Sequence, residues 1–273
     1  MKHAHTTMLR SDWKNAKPNE VREAVRSGNW RGVTHGMARG HIHANMAIVQ
    51  KIHAFDFLRF CLLNPKPCPL IEVLDAGNPN PRFCAKDADV RTDLSSYRVF
   101  SQGKLIEEVP SLEKHWKNDH VTFLMGCSLS FDQAMLEAGI PLRHLENENG
   151  RIGVYQSNIP CTSAGIFSGN MIVSMRPTKR KLLMQTIAVT SNYPIAHGSP
   201  IHIGDPQDIG IHDLAQIHSG GYNRIQEDEI PVFWACGVTP QSIATSSGID
   251  MITHTTGHMF MTDLTLKSAK ILS

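Results

Sequence analysis

The chain lacks any apolar run approaching the roughly 18 residues that a membrane-spanning helix needs, so no membrane partner is expected. It lacks a charge surplus as well. Its 27 Lys and Arg stand against 25 Asp and Glu, a formal net charge of +2. The longest basic run is Lys179-Arg180-Lys181, which argues against nucleic acid as a partner. Cysteine is sparse: Cys61, Cys68, Cys84, Cys127, Cys161 and Cys236 are the full set, and none form a C-x-x-C pair. That excludes a zinc knuckle and fits a reducing, cytoplasmic compartment. No three metal-ligand side chains have a convincing spacing, so neither a metal nor a cofactor is expected. Met1 to Arg10 holds no apolar core of a secretory leader, and none is expected.

What is present is an ordinary globular composition. The 273 residues are 41% hydrophobic, enough for one large domain or two small ones. The stretch with the clearest grammar is Glu229 to Gln241. Pro231 to Ala235 is a short apolar run that suits a strand buried on both faces. Cys236 and Gly237 break it, Thr239 is suited to cap a helix, and Pro240 suits the first helical position. Free backbone N–H groups beside a strand's carboxyl end invite an anion.

Val121 to Met125, followed by Gly126, Cys127 and Ser128, repeats the pattern, with Ser130 as the expected cap. The two turns are expected to open on one pocket, with Ser128 and Thr239 adding hydroxyls. The alternative is two ordinary turns with buried cysteines, since a free Cys usually packs as a small core residue.

Elsewhere, Pro18 to Ser27, Ala54 to Leu63 and Lys181 to Thr190 read as helices. Gly32 to Asn45 reads as a glycine-rich loop, where Arg39 could grip a carboxylate and His41 and His43 share a face. Pro69 to Leu74 is strand-like, and Tyr97 to Val109 reads as a hairpin around Gln102-Gly103. Residues 66–118 are therefore expected as a smaller α+β insert, and residues 1–65 and 119–273 as the main α/β lobe.

Arg176 ends a strand, as a carboxylate clamp or a surface ion pair. His202 and Asp205 flank a short strand end. Asp205 is a candidate acid or base, or a turn starter bonding its own backbone. His254 and His258 could share a helical face, but Thr255, Thr256 and Gly257 argue for a loop.

Several segments together carry a resemblance. They are Asn64-Pro-Lys-Pro-Cys-Pro69, Arg91-Thr-Asp93, Gly126-Cys-Ser128, Gly139-Ile-Pro-Leu-Arg-His144, Asn158-Ile-Pro-Cys161, Ser174-Met-Arg-Pro177, Val232 to Gln241 and Thr253 to Met259. From about Asn19 to Leu264 the chain resembles the bacterial family named putative hydro-lyases, related to a domain of mitochondrial D-glutamate cyclase. Arg39, His41 and His43 depart from that pattern, which is expected to carry Gln at the last position and often Pro and Tyr at the other two.

The resemblance implies an α/β fold of two intertwined lobes, a mixed sheet flanked by helices, and lyase chemistry on a small carboxylic acid. Cyclisation of D-glutamate to 5-oxo-D-proline with loss of water is the reaction it suggests. Asp205, His202, His258 and Cys236 are the expected catalytic residues. Arg176, Cys127, Ser128, Thr239, Gln241 and Asn45 are expected to hold the substrate. A non-catalytic small-acid binder or sensor, and a cysteine-dependent hydrolase, are the alternatives. A homodimer is the expected assembly.

Overall fold

The computed structural model describes residues 9–146 and 150–270; the start of the chain and residues 147–149 of the polar run after His144 lie outside them. In chain order the helices are α1 (Pro18–Arg26), α2 (Lys51–Leu63), α3 (Asp132–Glu137), α4 (Leu183–Ser191) and α5 (Thr239–Ser247). The strands are β1 (His41–Gln50), β2 (Leu70–Val73), β3 (Tyr97–Ser101), β4 (Lys104–Val109), β5 (His120–Gly126) and β6 (Gly153–Pro160). They continue as β7 (Asn170–Lys179), β8 (His202–Ile203), β9 (Ser219–Gly220), β10 (Glu229–Ala235), β11 (Met251–His254) and β12 (Phe260–Thr265).

The fold is α/β and contains two sheets. The first runs β2-β5-β1-β11-β3-β4, with β12 also on β1, and the second runs β8-β10-β7-β6-β9. The chain lays down β1 to β5 in the first sheet, builds the whole second sheet, and returns to the first with β11 and β12. The two lobes are intertwined for that reason. All strand pairings among the described residues are antiparallel. β2, and the hairpin β3–β4, join the first sheet through β5 and β11 respectively.

β1 is the strand around which the site forms. Its interior is buried along its whole length, which suits the apolar run from Met46 to Val49, while His43 and Asn45 are buried polar residues that need partners. On one side β5 pairs with it from Ala44↔Gly126 to Gln50↔His120. On the other side β12 takes its first part, ending at Ala44↔Phe260, and β11 takes its last part, starting at Ala47↔Thr253. Asn45 and Met46 fall in the gap between the two. A polar backbone left unpaired there would cost about 1–3 kcal/mol, so the gap must be filled by side chains.

Packing holds this frame. Phe57 of α2 meets Phe123 and Phe167 edge-on at centroid distances of 4.8 and 5.1 Å. Such pairs add about 0.5–1.5 kcal/mol beyond the area they bury. α1 starts on Pro18, where a missing N–H costs nothing, and Glu20 accepts from the Lys17 amide at 2.8 Å. Its Val21, Ala24 and Val25 face inward. No helix among the described residues is long and apolar enough to cross a membrane.

Three local expectations shift. The glycine-rich loop stops at Gly40, so Asn45 sits mid-strand in β1. Val238, not Thr239, precedes α5, because the Thr239 hydroxyl turns to the sheet instead: it donates to the Cys236 carbonyl at 2.7 Å and accepts from the Ile172 amide at 3.1 Å. Ser130 does not cap a helix. Its hydroxyl accepts from the His43 amide at 2.9 Å, tying the turn after β5 to β1.

Candidate active site between the sheets

β5 and β10 each end at a cysteine, Cys127 and Cys236, and both open on one cleft between the sheets. The cleft holds about 500 Å³ including its open mouth. From the first sheet come Asn45, Cys127, Ser128, His254 and Thr256; from the second come Ser174, Cys236 and, at the mouth, Arg151. Val33, Leu129, Ile152, Val154, Val238 and Met259 supply apolar wall. Asn45 holds the two turns together. Its amide donates to the Gly126 carbonyl at 2.6 Å, and it packs so closely on Gly237 that a Cβ there would overlap it.

A second layer fixes the first. The buried Arg176 guanidinium donates to Asp132 Oδ1 at 2.9 Å and to the hydroxyl and carbonyl of Ser128, both at 3.3 Å. It lies over the rings of Phe131 and Trp234 at 4.9 and 5.2 Å. Asp132 also accepts from His144 Nε2 at 2.7 Å. Burial pushes the Asp132 carboxyl up, but Arg176 and His144 outweigh it and hold the acid below its ordinary value. Gln241 donates to the His254 carbonyl at 2.6 Å and accepts from Arg98 at 3.1 Å.

Burial governs the ionisation of the lining. It pushes the Cys127 thiol to about 12, with Cys236 adding to the effect, and the Cys236 thiol to about 11. It brings the His254 imidazole down to about 4, and His35, which burial and Arg10 act on together, to about 3. At neutral pH these groups are uncharged thiols and imidazoles. Arg151 is the one charged side chain in the lining among the described residues.

Of the ten residues singled out by sequence, Asn45, Cys127, Ser128 and Cys236 line the cleft. Arg176, Thr239 and Gln241 stand directly behind it, bonded to Ser128, Cys236 and His254. His258 follows Gly257 of the lining, and its Nδ1 pairs with Ser95 Oγ at 2.8 Å. Asp205 and His202 are not brought there. Asp205 is exposed and accepts from the Gln207 amide at 3.0 Å, the turn-starter geometry, while His202 Nε2 donates to the Asp205 carbonyl at 2.7 Å.

Sequence reasoning passed over His35, Arg151, Ser174 and Thr256 in the lining, and Asp132 behind it. Ser174 lies in the same segment as Arg176, two residues away on one face of β7, and that spacing was the available signal.

The model of the D-glutamate cyclase family matches residues 121–263. The chain belongs to this family. The matched span runs from β5 into β12 and includes every lining residue except Val33, His35 and Asn45. Full-length relatives extend the likeness across those three. A protein of Bacillus velezensis named putative hydro-lyase is 46% identical over 265 residues, 97% of this chain and all of its own. Putative hydro-lyase YcsI of Bacillus subtilis is 46% identical, covering 93% of this chain and 99% of its own. A putative hydro-lyase of Rubrobacter xylanophilus is 47% identical, covering 89% and 94%. Among solved structures, a nitrogen repressor-like protein of Methanococcus jannaschii aligns over 86% of this chain with a TM-score of 0.38 and 12% identity, too low to argue from.

Proposed function

We propose that the cleft is the active site of a hydro-lyase for a small carboxylic acid, and that its reaction is the cyclisation of D-glutamate to 5-oxo-D-proline. The observation that carries this reading is the meeting of the Cys127 and Cys236 turns, bridged by Asn45, on one cleft whose lining holds the single charge of Arg151.

In that reaction the α-amine attacks the side-chain carboxyl carbon. A C–N bond forms, a C–O bond breaks, and the oxygen leaves as water. Arg151 is suited to the α-carboxylate, which a guanidinium grips with two parallel bonds. The apolar wall of Leu129, Ile152, Val154 and Val238 disfavours the ammonium form by desolvation, so the free amine is reached without a strong base. Ser128, bonded to the Arg176 guanidinium, is our choice to pass a proton towards the departing oxygen, with His258, which follows Gly257 of the lining, as the second candidate. Cys236, kept a thiol by burial, binds rather than attacks.

The test is to incubate the protein with D-glutamate, L-glutamate and small hydroxy acids and read loss of water by mass. Dehydration of D-glutamate that falls at least ~10-fold in Arg151→Gln is the expected result. Binding of an acid with no mass change would replace the enzyme with a small-acid binder or sensor. Activity that vanishes in Cys236→Ser and acts on esters or amides would favour a cysteine hydrolase.

For the assembly, the proposal is a homodimer through α2. Ile52, Phe55 and Leu62 are exposed at 82%, 71% and 64% along one stripe of that helix, with Arg59 between them. In an antiparallel copy Ile52 faces Leu62 and Phe55 faces Arg59, a self-complementary match of apolar and cation–π contacts. Sedimentation of Phe55→Glu against the parent decides it: an unchanged mass for both would remove the dimer or its α2 interface.

A further inference from the structure

Three polar atoms in the cleft lining have no partner among the described residues: Nε2 of His254, Oγ of Ser174 and Oγ1 of Thr256. His254 and Ser174 are both 1% exposed. A buried polar group left unpaired is costly, and three around one cleft, two from the first sheet and one from the second, call for a guest.

The polarity of the His254 ring follows from the β1 gap. The Met46 amide points away from β5, and it donates to His254 Nδ1 at 3.2 Å. The Met46 carbonyl lies 3.3 Å from the same nitrogen. A backbone N–H can only donate, so pairing it makes Nδ1 the acceptor and puts the ring proton on Nε2. Gln241 bonds the His254 carbonyl and holds the residue in place. The burial that keeps this imidazole neutral makes Nε2–H a fixed, uncharged donor. Ser174 Oγ and Thr256 Oγ1 add hydroxyls that rotate to donate or accept.

We infer that His254 Nε2–H, Ser174 Oγ and Thr256 Oγ1 form a charge-neutral subsite for one carbonyl oxygen of the ligand, separate from the carboxylate place at Arg151. The ligand class is then a small acid with one carboxylate and a second carbonyl group bound uncharged: a lactam, an amide acid, or D-glutamate whose side-chain carboxyl has taken up the proton given off by its ammonium. A second carboxylate pointing at these three groups would meet hydrogen-bond donors but no cation other than Arg151 among the described residues of the lining. In the proposed cyclisation, on which this reading of the ligand rests, the same three groups face the carbonyl oxygen that becomes an oxyanion as the amine adds. Neutral fixed donors stabilise such an oxygen without reorganising.

The experiment titrates the isotope-labelled full chain with 5-oxo-D-proline and, separately, with glutarate, following imidazole nitrogen and proton signals. Expected are an Nε2–H tautomer for His254, a shift of that signal with the lactam, and at least ~10-fold tighter binding of the lactam than of the diacid. Ser174→Ala, a small change in the cleft lining, should weaken the lactam several-fold. An Nδ1–H tautomer, an unmoved His254 signal, equal affinities, or no binding of either probe would overturn the subsite. A parallel assay for dehydration of D-glutamate separates the two ideas. Dehydration without lactam preference removes the subsite and keeps the reaction; lactam preference without dehydration keeps the subsite and removes the reaction.

Discussion

The Asn45 side-chain amide donates to the Gly126 carbonyl at 2.6 Å, and the same amide group fills the place where a Cβ of residue 237 would stand. One side chain on the central strand thus sets the distance between the turns that follow β5 and β10. Gly237→Ala should displace Asn45 from Gly126, costing about 1–3 kcal/mol by overpacking. Asn45→Ala in the same chain should return part of that loss. Denaturant melts of the two single variants and the double variant give the coupling, and strict additivity would show that the two residues do not press on each other. Gly126→Ala should be worse, because there the added Cβ overlaps the Ile195 backbone, which cannot swing aside.

Arg176 and Asp132 form a buried pair, 2% and 6% exposed at their side chains. Arg176→Met leaves the Asp132 carboxylate buried beside His144 alone. A loss of about 3–5 kcal/mol is expected, as for other half-removed buried pairs. Arg176→Lys should lose part of it, since the single Nη2 that bonds both Ser128 and Asp132 stands at the end of a longer, planar group, which an ammonium on a shorter stem does not reproduce. A measured loss below about 1 kcal/mol for Arg176→Met would mean that the pair is solvated.

Cys127 and Cys236 are buried thiols pushed to about 12 and about 11. Alkylation by iodoacetamide at neutral pH should therefore spare both in the folded protein, while the unfolded protein reacts fully. Peptide mass mapping checks this. Rapid labelling of either residue in the native state would put a thiolate in the cleft and revive the hydrolase reading.

Stability should fall with acid well before the carboxylates titrate. Burial lowers His43, His197 and His254 to about 4 and, with Arg10, His35 to about 3. In the unfolded chain each takes its proton near 6.5 or so. Between those values the unfolded state binds more protons, so stability is complete above the unfolded value and is lost as pH falls from there towards 4. Each imidazole contributes up to about 1.4 kcal/mol per pH unit in that window. Melting temperatures across the window should drop steadily. A flat profile down to about pH 5 would show these imidazoles to be hydrated.

Much of the frame was legible along the chain. The hairpin around Gln102-Gly103, the helix from Pro18, and the strands ending at Cys127 and Cys236 have local signatures: turn residues, apolar period and proline position. Asp205 illustrates where such signatures mislead. Its place at a strand end fits an acid or base as well as the commoner turn starter, and the Gln207 amide donates to its carboxylate. Sequence alone could not separate the two because both require the same residue at the same position.

By itself, then, the sequence determined an α/β chain of the D-glutamate cyclase family, the helix from Pro18, the hairpin around Gln102-Gly103 and the two Cys-ended strands, since each follows from short-range pattern or from likeness along the chain. Only the tertiary structure decided that every neighbour is antiparallel, that β11 and β12 part beside Asn45 and Met46, and that Ser174, His254 and Arg151 meet there. The physical reason is that a site is a set of long-range contacts. His254 reaches Met46 across 208 residues of chain, and its orphaned donor exists only because two strands share one edge of β1 and leave a gap.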